Sequence, residues 1–405
     1  RAFRRAWGLF FSYDGRAVHK GGSYVCSAKV YSYFHKLIYI CKSLPQCTTV
    51  YKDKNFMFVS MKYRRLFAVI ASFAVLFALC LGFFSATEAE RQARGLARRI
   101  VPLYADKIDF RQTDDTTIDR FSIYSEGSKL VIEGNDAISM AAGLNHYLKN
   151  YCGVTVSWYA FEPVQYPAQM PAVETPVRVE AKVKDRFFLN YCTFGYTMPW
   201  WKWEDWERFI DWMALNGINM PLANTGQEAV WQKVWRRHGL SDDEIRSYFT
   251  GPAHLAWHRM CNIDHYDGPL PQTWIDSQAK LQKRILKRER GLGMRPVLQA
   301  FGGHVPEQLK EIYPEAQITD IPSWGGFQSG NLCHFLAPMD PLYAQIQREY
   351  MTEQEKMFGT DHIYGVDLFN EVDAPSWDPE TLAEISRCAY ESMASVDPEA
   401  VWLQM

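Results

Sequence analysis

The chain of 405 residues lacks any excess of positive charge: 44 Lys and Arg stand against 46 Asp and Glu, a formal net charge of −2. That balance excludes a strongly basic nucleic-acid binder and implies no polybasic membrane-surface site. Cysteine is sparse, nine widely spaced residues, so there is no small disulfide scaffold. Gly302-Gly303 stands without the fuller Gly-rich fingerprints of phosphate binding, and no Gly-x-Ser-x-Gly elbow offers a serine nucleophile. Only one long apolar run exists, residues 66–84, which argues against a multi-span transporter component. The chain is nonetheless 47% hydrophobic, which excludes disorder and a collagen-like repeat and leaves ample material for a core.

Glutamate is missing altogether from residues 1–60, which hold ten Lys or Arg and only Asp14 and Asp53 as acids. This stretch begins at Arg1, shows no sustained helical or strand period, and reads as an upstream extension rather than a domain, with translation expected to start at Met61. Residues 61–89 have the three-part layout of a secretory signal peptide. Lys62, Arg64 and Arg65 precede the apolar run, and small residues Ser85, Ala86 and Ala89 follow it. The run is also long enough to remain as an N-terminal anchor. Export to the periplasm or outside the cell is therefore expected, of a mature part carrying 31 basic and 43 acidic residues from Glu90 onward. Its five cysteines, Cys152, Cys192, Cys261, Cys333 and Cys388, are odd in number, so at least one thiol is free.

Residues 90–178 are expected to form a small α/β domain. Strand composition at 121–124 and 129–133 flanks a turn at Glu126-Gly127, a helix fits 136–151, and 154–159 returns as a strand. Four prolines, Pro163, Pro167, Pro171 and Pro176, then mark an extended linker. From 185 to 405 short apolar runs alternate with amphipathic helices. Strands are expected at 187–192, 218–223, 296–301 and 363–369, with a further one beginning at 400–403. Helices are expected at 204–216, 227–238, 274–290, 341–358 and 379–396. Repeated βα alternation predicts a parallel sheet, either doubly wound or a (β/α)8 barrel, with inserts at strand C-terminal ends where barrel enzymes build their sites. The strands counted fall short of eight, so the barrel is expected to be incomplete in this chain.

The segment from Gly359 to Asp373 delivers Asn370 and Glu371 to the end of a strand. A carboxylic acid partly buried at a barrel mouth suits general-acid work on a glycosidic oxygen, with the Asn370 amide placed to bond a sugar hydroxyl. An Asn-Glu pair alone is a weak signal, and a solvated or helix-capping Glu is the plain alternative. Aromatics add context, 15% of the chain, with Trp200, Trp201, Trp203 and Trp206 clustered after the first barrel strand and Trp257 and Trp324 in loops. Ring faces stack on the apolar faces of pyranoses. Trp206, at helical spacing with Phe209 and Met213, belongs to a core. His254, His258, Cys261 and His265 have ligand-like spacing for zinc, yet no second cluster completes a ligand set and a helix face explains them as well.

Long stretches of the chain resemble glycoside hydrolase family 89, the α-N-acetylglucosaminidase family. They are Arg186-Phe-Phe-Leu-Asn-Tyr-Cys192, Asp211-Trp-Met-Ala-Leu-Asn-Gly-Ile-Asn219, Thr250-Gly-Pro-Ala253 with Leu255-Ala-Trp257, Asp267-Gly-Pro-Leu-Pro271, Gly303-His-Val-Pro-Glu307, and Gly359-Thr-Asp-His-Ile-Tyr-Gly365 leading to Phe369-Asn-Glu371. The resemblance implies a small N-terminal domain, a (β/α)8 barrel and a retaining exo-glycosidase that removes terminal α-linked N-acetylglucosamine from glycans with two carboxylates, no metal and no cofactor. On it Glu371 is the general acid/base, and Asn190, Cys192, Tyr196, Trp257, Trp324 and Asn370 are substrate-binding positions. The nucleophile Glu of such enzymes comes from a later barrel strand, beyond Met405, and a helical domain follows it, so this chain by itself is expected to be inactive. Two alternatives stand beside this reading: a retaining β-glycosidase of the strand-end Asn-Glu type, and a non-catalytic glycan-binding protein.

Overall fold

The computed structural model describes residues 86–114 and 117–404, and upstream of them only the backbone of an antiparallel hairpin, Ala17–His19 with Gly22–Tyr24. The rest of the expected extension and the apolar run at 66–84 lie outside the described residues. Among those described, no helix is long and apolar enough to cross a membrane.

The downstream unit opens with helix α1, Glu88–Ile100. Thr87 caps it in a reciprocal box, its hydroxyl accepting from Glu90 N–H at 3.2 Å while the Glu90 carboxylate accepts from Thr87 N–H at 2.9 Å. The boundary expected at residue 89 therefore falls inside a helix. A four-stranded sheet follows, built from β1 (Ile108–Gln112), β2 (Arg120–Glu126), β3 (Lys129–Gly134) and β4 (Val177–Glu180), in the order β1-β3-β2-β4. The β2–β3 hairpin turns at Gly127, whose φ of +60° suits glycine. Helix α2, Ala137–Asn150, begins at Asp136, whose carboxylate accepts from Ser139 N–H at 2.7 Å. Gly143 lets α2 settle onto the sheet, since a Cβ there would stand 2.8 Å from Ile132.

The strand expected at 154–159 does not form. The free edge of β2 is taken by β4 instead, and Trp158 turns its ring to Trp201 and Phe209 at 5.6 and 5.1 Å. Side-chain packing rather than ladder pairing holds this run in an irregular path.

Beyond it, β5 (Phe187–Phe188), β6 (Met220–Pro221), β7 (Leu298–Gln299), β11 (Ile363–Gly365) and β12 (Val401–Leu403) lie side by side in chain order, all parallel. A parallel bridge between Leu222 and Val297 joins β6 to β7. Each strand beside its predecessor is the winding of a (β/α)8 barrel, not of a doubly wound sheet, whose order reverses. Amphipathic helices return the chain: α3 (Trp203–Leu215) between β5 and β6, α4 (Glu228–Arg237) and α5 (Gln272–Gly291) between β6 and β7, α6 (Pro341–Phe358) before β11 and α7 (Pro379–Ala394) before β12. Asp340 and Asp378 cap α6 and α7 ahead of Pro341 and Pro379, an arrangement that fixes where both helices begin. Between β7 and α6 the chain inserts a small antiparallel sheet of β8 (His304–Val305), β9 (Ile318–Asp320) and β10 (His334–Leu336), with β10 in the middle.

The barrel strands are shorter than their apolar runs. Leu189, at φ +84°, bends the chain out of β5, and Pro221 cannot donate to a ladder. The early endings release 189–197, 224–227 and 366–378 as loops on the C-terminal side. Trp206, Phe209 and Met213 are buried as expected of core residues. Asp211, on α3, accepts from Arg99 of α1 at 2.5 and 2.9 Å and from Arg288 of α5 at 2.7 Å, tying the first domain to the barrel.

Candidate functional site

Side chains bond the carbonyls at and just past the end of β11: Tyr191 hydroxyl donates to Gly365 O at 3.1 Å, and Trp402 Nε1 donates to Val366 O at 2.9 Å. The chain then leaves the sheet and reaches Asn370 and Glu371. Phe369 and Val372, on either side of the pair, pack against the cluster of Cys261, Ile321, Cys333 and Phe335. Glu371 adopts φ +56°, a left-handed conformation that a glutamate adopts only at a cost of about 1–2 kcal/mol. Strain of this kind collects at functional positions.

Glu371 is exposed, where partial burial was expected. The strand ends at Gly365 rather than reaching Phe369, which carries the carboxylate farther out into the mouth. It accepts a hydrogen bond from Trp324 Nε1 at 3.1 Å. Trp324 is half-buried in the inserted loop and stacks on Phe327 at 5.9 Å. Phe327 meets Tyr266 at 4.9 Å, Tyr266 meets His254 at 4.8 Å, and His254 lies 6.4 Å from Trp257, which in turn meets Tyr196 at 6.0 Å. Rings from three different segments thus run in contact to the carboxylate; Trp257, expected in a loop, and Tyr196 sit on short helices, Leu255–Arg259 and Thr193–Tyr196.

Cys192 and Asn370 share a neighbour on the floor. Met260 Sδ lies 3.9 Å from Cys192 Sγ and 3.2 Å from Asn370 Nδ2. Burial pushes the Cys192 thiol up, and the nearby Glu371 charge adds to the effect, so the sulfur is a protonated, non-ionic surface. Asn190 is exposed, and its side-chain oxygen is spent on Thr193, accepting from the backbone N–H at 3.1 Å and the hydroxyl at 2.7 Å. It orders the turn Thr193–Tyr196 that presents Tyr196. Contacts therefore link Glu371 and Trp324 to Trp257 and Tyr196 through the rings, and Cys192 to Asn370 through Met260, while the Asn190 side-chain oxygen is engaged with Thr193.

The zinc candidates do not assemble. His265 Nδ1 is taken by Ser247 O at 2.7 Å, His254 belongs to the aromatic wall, and Cys261 faces the apolar cluster. His258 is instead part of a buried group with Asp264 and His304. Asp264 Oδ1 lies 3.0 Å from His258 Nδ1 and 2.8 Å from His304 Nε2. Both rings converge on one oxygen of the buried carboxylate as an ion-pair cluster, and Asp264 Oδ2 has no hydrogen-bond partner among the described residues. All five downstream cysteines are free thiols. Sequence reasoning missed Phe327, Tyr266, Met260 and His304. The first three flank named motifs by only a few residues, but their convergence depends on loops whose paths no periodicity encodes.

Residues 186–405 match the alpha-N-acetylglucosaminidase (NAGLU) tim-barrel domain, and residues 91–172 match the NAGLU N-terminal domain. The chain belongs to the alpha-N-acetylglucosaminidase family. It is 46% identical over 288 residues to human alpha-N-acetylglucosaminidase, a match covering 71% of this chain and 39% of that protein. The family 89 glycoside hydrolase from Clostridium perfringens, in complex with 2-acetamido-1,2-dideoxynojirmycin, superimposes with a TM-score of 0.74 at 30% identity, covering 89% of this chain and 40% of that one. A form of it in complex with its substrate GlcNAc-alpha-1,4-galactose gives a TM-score of 0.73 at 29% identity, with the same two coverages. The chain thus spans about two fifths of the length of these relatives. The shared fold is a small α/β domain followed by a (β/α)8 barrel, of which the described residues hold five strands.

Proposed function

We propose that the protein is a glycoside hydrolase that removes terminal α-linked N-acetylglucosamine from glycans with retention of configuration, Glu371 serving as general acid/base. The observation that carries this is the position of Glu371: a strained carboxylate at the C-terminal mouth of a barrel, gripped by an indole N–H and closing a wall of rings. Trp257, Trp324 and Tyr196 supply apolar faces for a pyranose, and the neutral Cys192 thiol and the Asn370 amide supply short polar contacts beneath it. Membership of the family and the GlcNAc-alpha-1,4-galactose bound by the Clostridium perfringens relative support the sugar and the anomer. Retention needs a second carboxylate about 5–5.5 Å from the first, close enough to attack the anomeric carbon while Glu371 protonates the leaving oxygen.

The reading includes export. The basic start, apolar run and small residues of 61–89 support a periplasmic or secreted protein acting on extracellular glycans. The decisive experiment uses the full-length protein with paired aryl α- and β-N-acetylglucosaminides, following the first-formed sugar by NMR. Hydrolysis of the α-anomer alone, releasing α-N-acetylglucosamine, is expected. Preference for the β-anomer would favour a β-glycosidase, and binding without turnover would favour a sugar-binding protein.

A further inference from the structure

The orientation of Glu371 is set by the peptide that precedes it. The carbonyl of Asn370 accepts from the side-chain amide of Asn262 at 2.8 Å, and Asn262 is itself buried. Fixing that carbonyl fixes the plane of the Asn370–Glu371 peptide, and the φ of Glu371 is the rotation between that plane and the rest of the residue. Asn262 comes from a different barrel loop, which has unusual backbone of its own: Cys261, His265 and Asp267 have φ of +63°, +60° and +56°. That loop is held from below. Asn262 N–H donates to Trp257 O at 2.9 Å, Asp264 N–H donates to Asn331 O at 3.2 Å, and the Asn331 amide returns a bond to Asp264 O at 2.9 Å. The Asp264 carboxylate is anchored between His258 and His304.

We propose that Asn262 is a positioning residue for Glu371: its amide, presented by a loop that the buried His258–Asp264–His304 cluster anchors, holds the left-handed turn that aims the carboxyl group into the mouth. The proposal rests on the reading of Glu371 as acid/base. The same loop contributes Met260 to the site floor and, through Asn331, reaches the insert that carries Trp324, so one anchored segment sets the carboxylate and the indole that binds it. Among the described residues no other hydrogen bond holds the Asn370 carbonyl; the Trp324 bond restrains the carboxylate but not the peptide plane, so loss of the amide frees φ to relax toward its ordinary range. Displacement of a catalytic group by about 1 Å can cost on the order of 100-fold in rate.

The test is a double-mutant cycle in the full-length protein, with Asn262→Leu, Glu371→Gln and the pair, assayed on a disaccharide ending in α-N-acetylglucosamine and on an activated aryl substrate. Asn262→Leu should lower kcat on the disaccharide by about 10- to 100-fold with KM within about twofold. It should affect the aryl substrate less and add nothing on top of Glu371→Gln. Asn262→Asp preserves shape and opposes the carbonyl with an acceptor, so it should be at least as impaired; it also serves if the leucine variant fails to fold. Multiplication of the two effects, or full activity of either Asn262 variant, overturns the positioning role while leaving the acid assignment intact. Failure of Glu371→Gln to discriminate between leaving groups removes the acid assignment and this proposal with it.

Discussion

Replacing Asp264 probes the buried cluster beneath the site. Its side chain is completely buried, and both histidines that contact it are nearly so. Burial pushes the Asp264 carboxyl up, but the His304 charge and the contacts from both rings overcome it and hold it well below the usual carboxylate range. Burial likewise pulls His304 down, and the Asp264 charge reverses this and raises it well above 6.5, whereas for His258 burial wins and the ring is neutral. Removing one member of a buried pair costs about 3–5 kcal/mol. Asp264→Asn keeps the volume and an acceptor and lets His304 discharge by losing its proton, so about 3 kcal/mol is expected, with Asp264→Ala nearer 5. Against a domain stability of about 5–15 kcal/mol this is a large shift. Urea unfolding followed by tryptophan fluorescence at pH 7 measures it. The pH dependence has a definite sign. The raised His304 contributes stability that is complete below about 6.5 and is lost as pH rises through its folded value. The lowered Asp264 contributes stability above about 3.8 that is lost as pH falls through its folded value. The gap between wild type and Asp264→Asn should therefore be widest between about pH 3.8 and 6.5, begin to narrow above that, and close as pH rises through the folded value of His304. A loss under about 1 kcal/mol, the range of a surface pair, or a gap that stays constant into alkali, would refute the reasoning.

Two other changes test the packing around the site. A Cβ on Gly195 would lie 2.6 Å from the Trp257 ring, so Gly195→Ala should displace that ring and raise KM about tenfold with little change in fold, checked by steady-state kinetics and circular dichroism. An unchanged KM would remove Trp257 from the sugar wall. Asp211→Ala leaves Arg99 and Arg288 without their shared partner and should cost about 3 kcal/mol, with Asp211→Asn costing less, both read from chemical denaturation.

Much of the architecture could be read from local chemistry. Asp340-Pro341 and Asp378-Pro379 mark helix starts because an acidic cap and a residue lacking N–H suit those positions, and Trp206 with Phe209 and Met213 shows its core face by spacing. Asn370-Glu371 could be found because an apolar run leads to it. The strands were overestimated because an apolar run records burial, not ladder pairing: Leu189, Leu368 and Phe369 are hydrophobic yet leave the sheet. The run at 154–159 misled for the same reason. The exposure of Glu371 and the clustering of His258, Asp264 and His304 depend on loop paths and on pairings between residues some 40 positions apart, which sequence spacing does not report. Asn262 gave no signal, since an amide that holds another residue's carbonyl looks in sequence like any loop asparagine.

The central claim is that Glu371 delivers the proton to the departing glycosidic oxygen. Its most direct test is kcat/KM for Glu371→Gln in the full-length protein across a series of α-N-acetylglucosaminides whose leaving groups range from activated phenols to a sugar alcohol. Proton delivery contributes about 10²- to 10⁴-fold where the leaving group needs it and little where it does not. The account predicts a loss that grows steadily as the leaving group becomes poorer, with the most activated phenol least affected. Uniform slowing across the series would contradict it.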